Sequence, residues 1–292
     1  MKGIGFIGLG NMGGPMAANL VAAGYEVTGF DIVDVAIEGV TKASDAASPV
    51  SGQEAVITML PAGQHVLSVY KDVLGKAEPG TLFIDCSTID VESAREAHKL
   101  AADAGMRSVD APVSGGVGGA VAGSLTFMAG GADDAFAAAK PLFDIMGQRA
   151  VHCGEAGAGQ AAKICNNMIL GISMIGVCEA IGLADSLKLD RQALFDVVST
   201  SSGSCWSVNT YCPMPGIGPQ SPADNNYAPG FAAPLMLKDL TLAMTAARAV
   251  DADTPLGQHA KDLYETFVGG DGKDLDFSAI LKHVAAKSFP GK

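Results

Sequence analysis

Residues 3–31 limit what this chain can fold into more than any other stretch. A short apolar strand, GIGFIG, runs into a glycine turn; a helix follows from about Pro15 to Ala23, Gly24 stops it, and a second strand ends VTGFD. Within this unit GLGNMG fits GxGxxG, and Asp31 closes the second strand about 20 residues further on. Gly8 allows the tight turn, Gly10 lets the backbone approach a pyrophosphate, and Gly13 lets the helix pack closely. The helix N-terminus supplies free N–H groups and the positive end of a dipole. Asp31 is placed to accept hydrogen bonds from adenosine ribose hydroxyls. It would repel a 2′-phosphate, and Ile32, Val33 and Asp34 bring no arginine to neutralise one, so NAD is expected over NADP. The candidate cofactor residues of this turn are Gly8, Gly10, Asn11, Met12, Gly13 and Asp31; the alternative is a glycine turn that serves packing only.

Strand–helix alternation continues. AVITML at 55–60 reads as a strand stopped by Pro61, a helix runs through 66–70, TLFID at 81–85 is a strand, and a helix covers about 91–104 with Asp90 as its N-cap. Residues 86–89 are then a loop at the carboxyl end of a strand, the edge where ligands sit in doubly wound sheets. Leu60, Pro61 and Thr88 are candidates for lining the nicotinamide half of the cofactor, with turn punctuation an equal reading on chemistry alone. Strand RSVD at 107–110 leads into a glycine-rich loop in which Ser114, Gly115 and Gly116 resemble an anion nest able to grip a carboxylate. Residues 118–123 read as a flexible linker. A strand at 125–130, a helix at 133–146 and a strand at 150–153 complete a first domain, residues 1–160.

The rest, 161–292, carries only helical signals, at about 160–187, 190–199, 235–250, 255–267 and 276–286. The first of these is apolar nearly all round, which predicts the buried centre of a bundle. The proline-rich connection 212–231 has no secondary-structure signal of its own, and the flanking Trp206, Tyr211 and Phe231 argue that it is ordered near a site. Lys238 and Asp239 are adjacent charges in an apolar helix, either functional or salt-bridged surface residues. In GAGQAAKICNN, residues 157–167, Lys163 is the only lysine or arginine between Arg149 and Lys188. Asn167 follows four residues later, on the same helix face. Such a pair could hold a small polar ligand, although on these residues alone a snorkelling lysine beside a structural asparagine is the stronger reading.

With 292 residues the chain has material for roughly two domains. Its net charge of −12 works against nucleic acid and anionic lipid as partners. Six cysteines without CxxC or metal-ligand spacing are expected as reduced thiols in a cytoplasmic setting. No targeting segment is expected at the start, and the apolar run 168–178 is too short to span a bilayer.

Five stretches, GFIGLGNMGGPMAANL, DCSTID, DAPVSGG, GAGQAAKICNN and FAAPLMLKDL, occur in an order and spacing that resembles the β-hydroxyacid dehydrogenases over essentially the whole chain. CWSVNTYCPMPG and ADNNYAPGF are similar to the branch that acts on 3-hydroxyisobutyrate. The resemblance implies an α/β fold: an N-terminal Rossmann-type doubly wound sheet that binds NAD, followed by an all-α helical domain for substrate and homo-oligomer contacts, dimer or tetramer. It implies Lys163 as the catalytic base, Ser114, Gly115, Gly116 and Asn167 on the substrate, and Leu60, Pro61, Thr88 and Lys238 on NAD. The expected reaction is NAD-dependent oxidation of a small β-hydroxy acid, 3-hydroxyisobutyrate first and L-serine as the alternative. A free lysine is a poor base at neutral pH, so burial and the nearby cofactor charge are expected to lower its pKa.

Overall fold

The computed structural model describes residues 2–285, so Ala286, the last residue of the final expected helix, lies outside them. The chain divides into two units, Met1–Lys163 and Ile164–Lys292.

The first unit is built on a single sheet of β1 (Gly3–Ile7), β2 (Glu26–Phe30), β3 (Thr41–Lys42), β4 (Ala55–Thr58), β5 (Leu82–Asp85), β6 (Arg107–Asp110), β7 (Val113–Ser114), β8 (Leu125–Gly130) and β9 (Gly147–Gly154). Their connections carry helices α1 (Gly13–Ala22), α2 (Gly63–Val73), α3 (Val91–Asp103), α4 (Gly116–Ala122) and α5 (Asp133–Met146). The strand order is β3-β2-β1-β4-β5-β6-β8-β7, with β9 on β8. From β3 to β6 every ladder is parallel; β8 runs antiparallel to β6 and β7. The order reverses between β1 and β4, which makes their carboxyl ends the switch point where such sheets open a crevice.

Period-two alternation explains the two layers. Ala55 and Ile57 of β4 join a core with Met16 and Leu20 of α1 and Phe143 of α5. Val56, between them, joins a second core with Val66 and Tyr70 of α2 and Ala97 of α3. Helices therefore cover both faces, as expected for a doubly wound sheet. The glycine-rich segment 118–123, expected as a linker, is instead helical to Ala122 and closed by Gly123 as a left-handed cap. Its Ala120 is fully buried, and Asn19 of α1 donates to the Ala120 carbonyl at 2.7 Å. Packing against α1 overrides the weak helix propensity of its glycines.

α6 (Ala158–Ser186) begins in the first unit and runs on into the second. There it is joined by α7 (Arg191–Val198), α8 (Trp206–Asn209), α9 (Ala233–Ala249), α10 (Pro255–Gly269) and α11 (Leu281–Val284). Met174 and Ile181 of α6 meet Met236 and Leu240 of α9 and Tyr264 of α10 in one core. α6 is not buried all round: Ile169 is 66 % and Leu183 62 % exposed. The final expected helix is split into a 3-10 turn, Phe277–Ile280, and α11, because Asp276 caps the turn through Ser278. Asp276 is fully buried and also accepts from the main chain of Gly230 and Phe231 and from the Tyr211 hydroxyl. That carboxyl ties together the two ends of the 212–231 connection. Its middle is ordered by the capping box of Ser221 and Asp224 around a 3-10 turn, Pro222–Asn225, with Ser221 Oγ donating to the Cys212 carbonyl at 2.7 Å.

One buried carboxyl couples the parallel strands at their carboxyl ends. Asp85 Oδ1 accepts from Thr58 Oγ1 at 2.8 Å, Ser87 Oγ at 2.5 Å and Ser87 N at 3.1 Å, while Oδ2 has no hydrogen-bond partner among the described residues. Burial pushes its pKa up from 3.8 to about 6 against the opposing pull of those donors. The folded pKa is the higher one, so this group's contribution to stability is complete below 3.8 and is lost as pH rises through about 6. Asp85→Asn has no proton to lose. Urea unfolding of the two proteins from pH 4 to pH 7 should show the variant gaining on the native chain as pH rises; a constant difference would mean that Asp85 does not titrate in that window.

Candidate active site

Consecutive strand ends bring the expected cofactor residues of the first unit to one edge of the sheet, whereas Lys238 lies on α9 of the second unit. After β1, Gly8 takes φ +97°, and a Cβ at Gly13 would sit 1.9 Å from the Gly8 carbonyl, so the turn and the start of α1 close as the motif requires. A Cβ at Gly10 would meet nothing within 4 Å. α1 starts without a side-chain cap or an acid in its first turn, which leaves its N-terminal field for an anion. These features fit a pyrophosphate.

Asp31, immediately after β2, is held from two sides. Leu9 N donates to Oδ2 at 2.7 Å and Val33 N to Oδ1 at 2.9 Å. Beside it Ile32 and Val33 are 92 % and 63 % exposed, an apolar shelf on the surface.

Leu60 and Pro61 follow β4, which ends at Thr58 rather than running on to residue 60. Leu60 N donates to Ser87 Oγ at 2.8 Å, so the loops after β4 and β5 are bonded to each other through the serine that Asp85 orients. Thr88 follows Ser87 and is half-buried.

Ser114, at the end of β7, leads into two successive glycines with positive φ, Gly115 at +134° and Gly116 at +62°. Only glycine takes up such a pair readily, and the result is a concave run of main-chain N–H groups of the kind that holds anions. Lys163, on α6, is 7 % exposed, and its Nζ donates to the Val113 carbonyl at 2.8 Å, next to Ser114. The snorkelling reading is overturned, since a snorkelling ammonium ends in water. Two features expected separately, the lysine and the nest, adjoin.

In the second unit Asn167 is 2 % exposed; its Nδ2 donates to Asp239 of α9, and its Oδ1 accepts from Asn166 Nδ2 at 2.8 Å. Lys238 is half-buried, and Asp239, at 4 % exposed, is not a surface residue.

Sequence reasoning passed over Asp110, Ser87 and Gln160, all buried and all bonded to the site. Asp110 accepts from Gly157 N and Gln160 N at the start of α6. A polar side chain inside the otherwise apolar AGQAAKI stretch was the available signal for Gln160. Neither Asp110 nor Ser87 carried one, because a strand-end acid and a loop serine are ordinary by themselves.

The pattern has known counterparts. A family model described as the NAD binding domain of 6-phosphogluconate dehydrogenase matches residues 3–154, and one described as NAD-binding of NADP-dependent 3-hydroxyisobutyrate dehydrogenase matches residues 157–284. A probable 3-hydroxyisobutyrate dehydrogenase of Mycobacterium bovis is 50 % identical across 99 % of both chains. An NAD-dependent L-serine dehydrogenase of Pseudomonas aeruginosa is 45 % identical across 97 % of both. Among solved structures, that of Mycobacterium tuberculosis 3-hydroxyisobutyrate dehydrogenase with L-serine matches with a TM-score of 0.94 and 51 % identity over 97 % of this chain and 99 % of that one. Identity of this order, end to end and across both units, makes the chain a member of the β-hydroxyacid dehydrogenase family, within its 3-hydroxyisobutyrate dehydrogenase group, and an oxidoreductase that uses NAD.

Proposed function

We propose that the chain oxidises 3-hydroxyisobutyrate to methylmalonate semialdehyde, a step of valine breakdown, with Lys163 as general base and, in the reverse direction, general acid. The observation that carries this reading is the buried Lys163 ammonium bonded beside the Gly115–Gly116 turn. Ser114, Gly115 and Gly116 hold the substrate carboxylate through main-chain donors and one hydroxyl. The Val113 carbonyl accepts from Lys163 Nζ and so holds the amine beside the nest, where in its neutral form it takes the proton of the substrate hydroxyl. Asn167, a turn further along α6, bonds the same substrate. Gly8, Gly10, Asn11, Met12, Gly13, Asp31, Leu60, Pro61, Thr88 and Lys238 hold the cofactor. NAD, when bound, supplies the hydride acceptor. Removing the hydroxyl proton needs the neutral amine, whose fraction grows with pH, so the forward rate climbs into alkaline solution.

L-Serine is the second reading, favoured by the serine dehydrogenase at 45 % identity and by the solved relative described with L-serine. A pocket separates a methyl from an amine by only a few kcal/mol unless buried groups pair with one of them.

The first unit is read as the cofactor domain and the second as the domain for substrate and assembly, in a cytoplasmic homodimer or homotetramer. α6 has the length and apolarity to cross a bilayer, 29 residues with a mean hydropathy of 1.7 in its most apolar part. Its buried and hydrogen-bonded Gln160, Lys163 and Asn167 favour a core helix, with Ile169 and Leu183 facing a second copy.

Lys163→Ala should lower turnover about a thousandfold or more, the scale of general acid–base catalysis and above, while NADH binding by fluorescence titration stays native. Activity above a few per cent would end the base assignment. Initial rates with NAD at alkaline pH on 3-hydroxyisobutyrate, L-serine and 3-hydroxypropionate rank the substrates, and a kcat/KM highest for serine would replace the first reading by the second. Asp31→Arg should shift the NAD to NADP ratio of kcat/KM towards NADP by about tenfold or more; an unchanged ratio would detach Asp31 from the ribose.

A further inference from the structure

We propose that Gln160 is a positioning residue that locks the Thr88 loop to the first turn of α6, the helix that delivers Lys163. The proposal rests on the dehydrogenase reading of this site and extends it to a side chain that touches neither substrate nor cofactor.

Gln160 is fully buried, and its amide is spent on one loop. Nε2 donates to the Ser87 carbonyl at 2.7 Å, and Oε1 accepts from Ile89 N at 3.1 Å. The two partners flank Thr88. A side-chain amide here takes the place of a strand's main chain, satisfying one carbonyl and one N–H of a neighbouring segment and fixing the residue between them. The main chain of Gln160 is fixed in turn, because its N–H donates to Asp110 Oδ2 at 2.9 Å while Gly157 N donates to Oδ1 at 2.8 Å. His98 Nε2 meets the same Oδ1 at 2.9 Å, and its Nδ1 meets Ser108 Oγ at 2.7 Å, so the capping carboxyl is itself held from α3 and β6. The fit is close: a Cβ at Gly159 would lie 2.3 Å from the Met128 carbonyl and 2.6 Å from that of Asp110. Lys163 comes three residues after Gln160, less than one turn along a rigid helix. Every link from the Thr88 loop to the lysine is thus a hydrogen bond or a helical turn, with no rotatable side chain left free. Misplacement by about 1 Å costs on the order of a hundredfold in rate, which gives this linkage its value.

The test uses two variants of the full chain. Gln160→Glu keeps the shape, but its carboxylate cannot donate to the Ser87 carbonyl; Gln160→Ala removes both bonds. Hydrogen exchange of the protein without cofactor reads the Ile89 amide, NADH fluorescence titration reads cofactor binding, and steady-state kinetics separate kcat from KM. Expected are Ile89 exchange faster by about tenfold in Gln160→Ala, which loses the acceptor of that amide, a smaller increase in Gln160→Glu, which keeps it, and in both variants a kcat lowered about 10- to 100-fold with the KM of the hydroxy acid within about threefold of native. Native kcat with faster exchange would make Gln160 structural only, and unchanged exchange would remove the clamp; either overturns the proposal. Loss of the folded state in both variants would also overturn it, as a folding role. Should the native chain turn over no β-hydroxy acid, the activity reading fails and takes the positioning role with it, while Ile89 exchange still reports whether the clamp exists.

Discussion

The carboxyl of Asp110 is the contact on which the site depends. It terminates β6, yet its oxygens serve α6, accepting two of the N–H groups that a helix start leaves without intrahelical partners. Hydrogen bonds to a charged group contribute about 1.5 to 3 kcal/mol each, and a carboxyl at a helix N-terminus gains further from the dipole. A long apolar helix packed only by its hydrophobic stripe could slide or rotate by a fraction of a turn at little cost. Two directed bonds at its first turn, with glycines on both sides of the contact, remove that freedom. The lysine at the end of the second turn inherits the register.

The fold was legible because its determinants are local and periodic. GLGNMG with Asp31 fixes strand, turn, helix and strand within about 30 residues, and alternating apolar residues such as those of β4 announce both faces of the sheet. What failed to show was set by tertiary context. Residues 118–123 look like a linker because glycine is a poor helix former, and only the packing of Ala120 makes them a helix. The apolar girth of α6 predicts burial on all sides, but a sequence does not say which apolar face is covered within one chain and which is left open. For the site, residue types that are rare in their setting stood out: a lone lysine, an amide one turn later, two glycines after a serine. Asp110 and Ser87 did not, since their value lies in partners 47 and 27 residues away.

Two kinds of polar burial meet in this chain. Asp110 and Asp276 have donors on both oxygens, and each ties a segment with little secondary structure to a rigid element. Asp85 is crowded on one oxygen and bare on the other among the described residues, so the same side chain that orders the loops after β4 and β5 carries an uncompensated cost. The fold places this cost at the carboxyl end of its central strands, while the rest of the sheet is packed with Val, Ile, Leu and Phe.

The two main-chain N–H bonds to Asp31 bear on how recognition is timed. A carboxylate on a free side chain must give up rotamers when it takes a ribose, and this loss is subtracted from the binding. Here the loss falls in folding, long before any ligand arrives, and one of the two donors, Leu9, belongs to the glycine turn itself. Asp31 and the glycine turn are therefore one rigid object, and on the proposed reading a dinucleotide meets a spacing between its sugar and its phosphates that is already set.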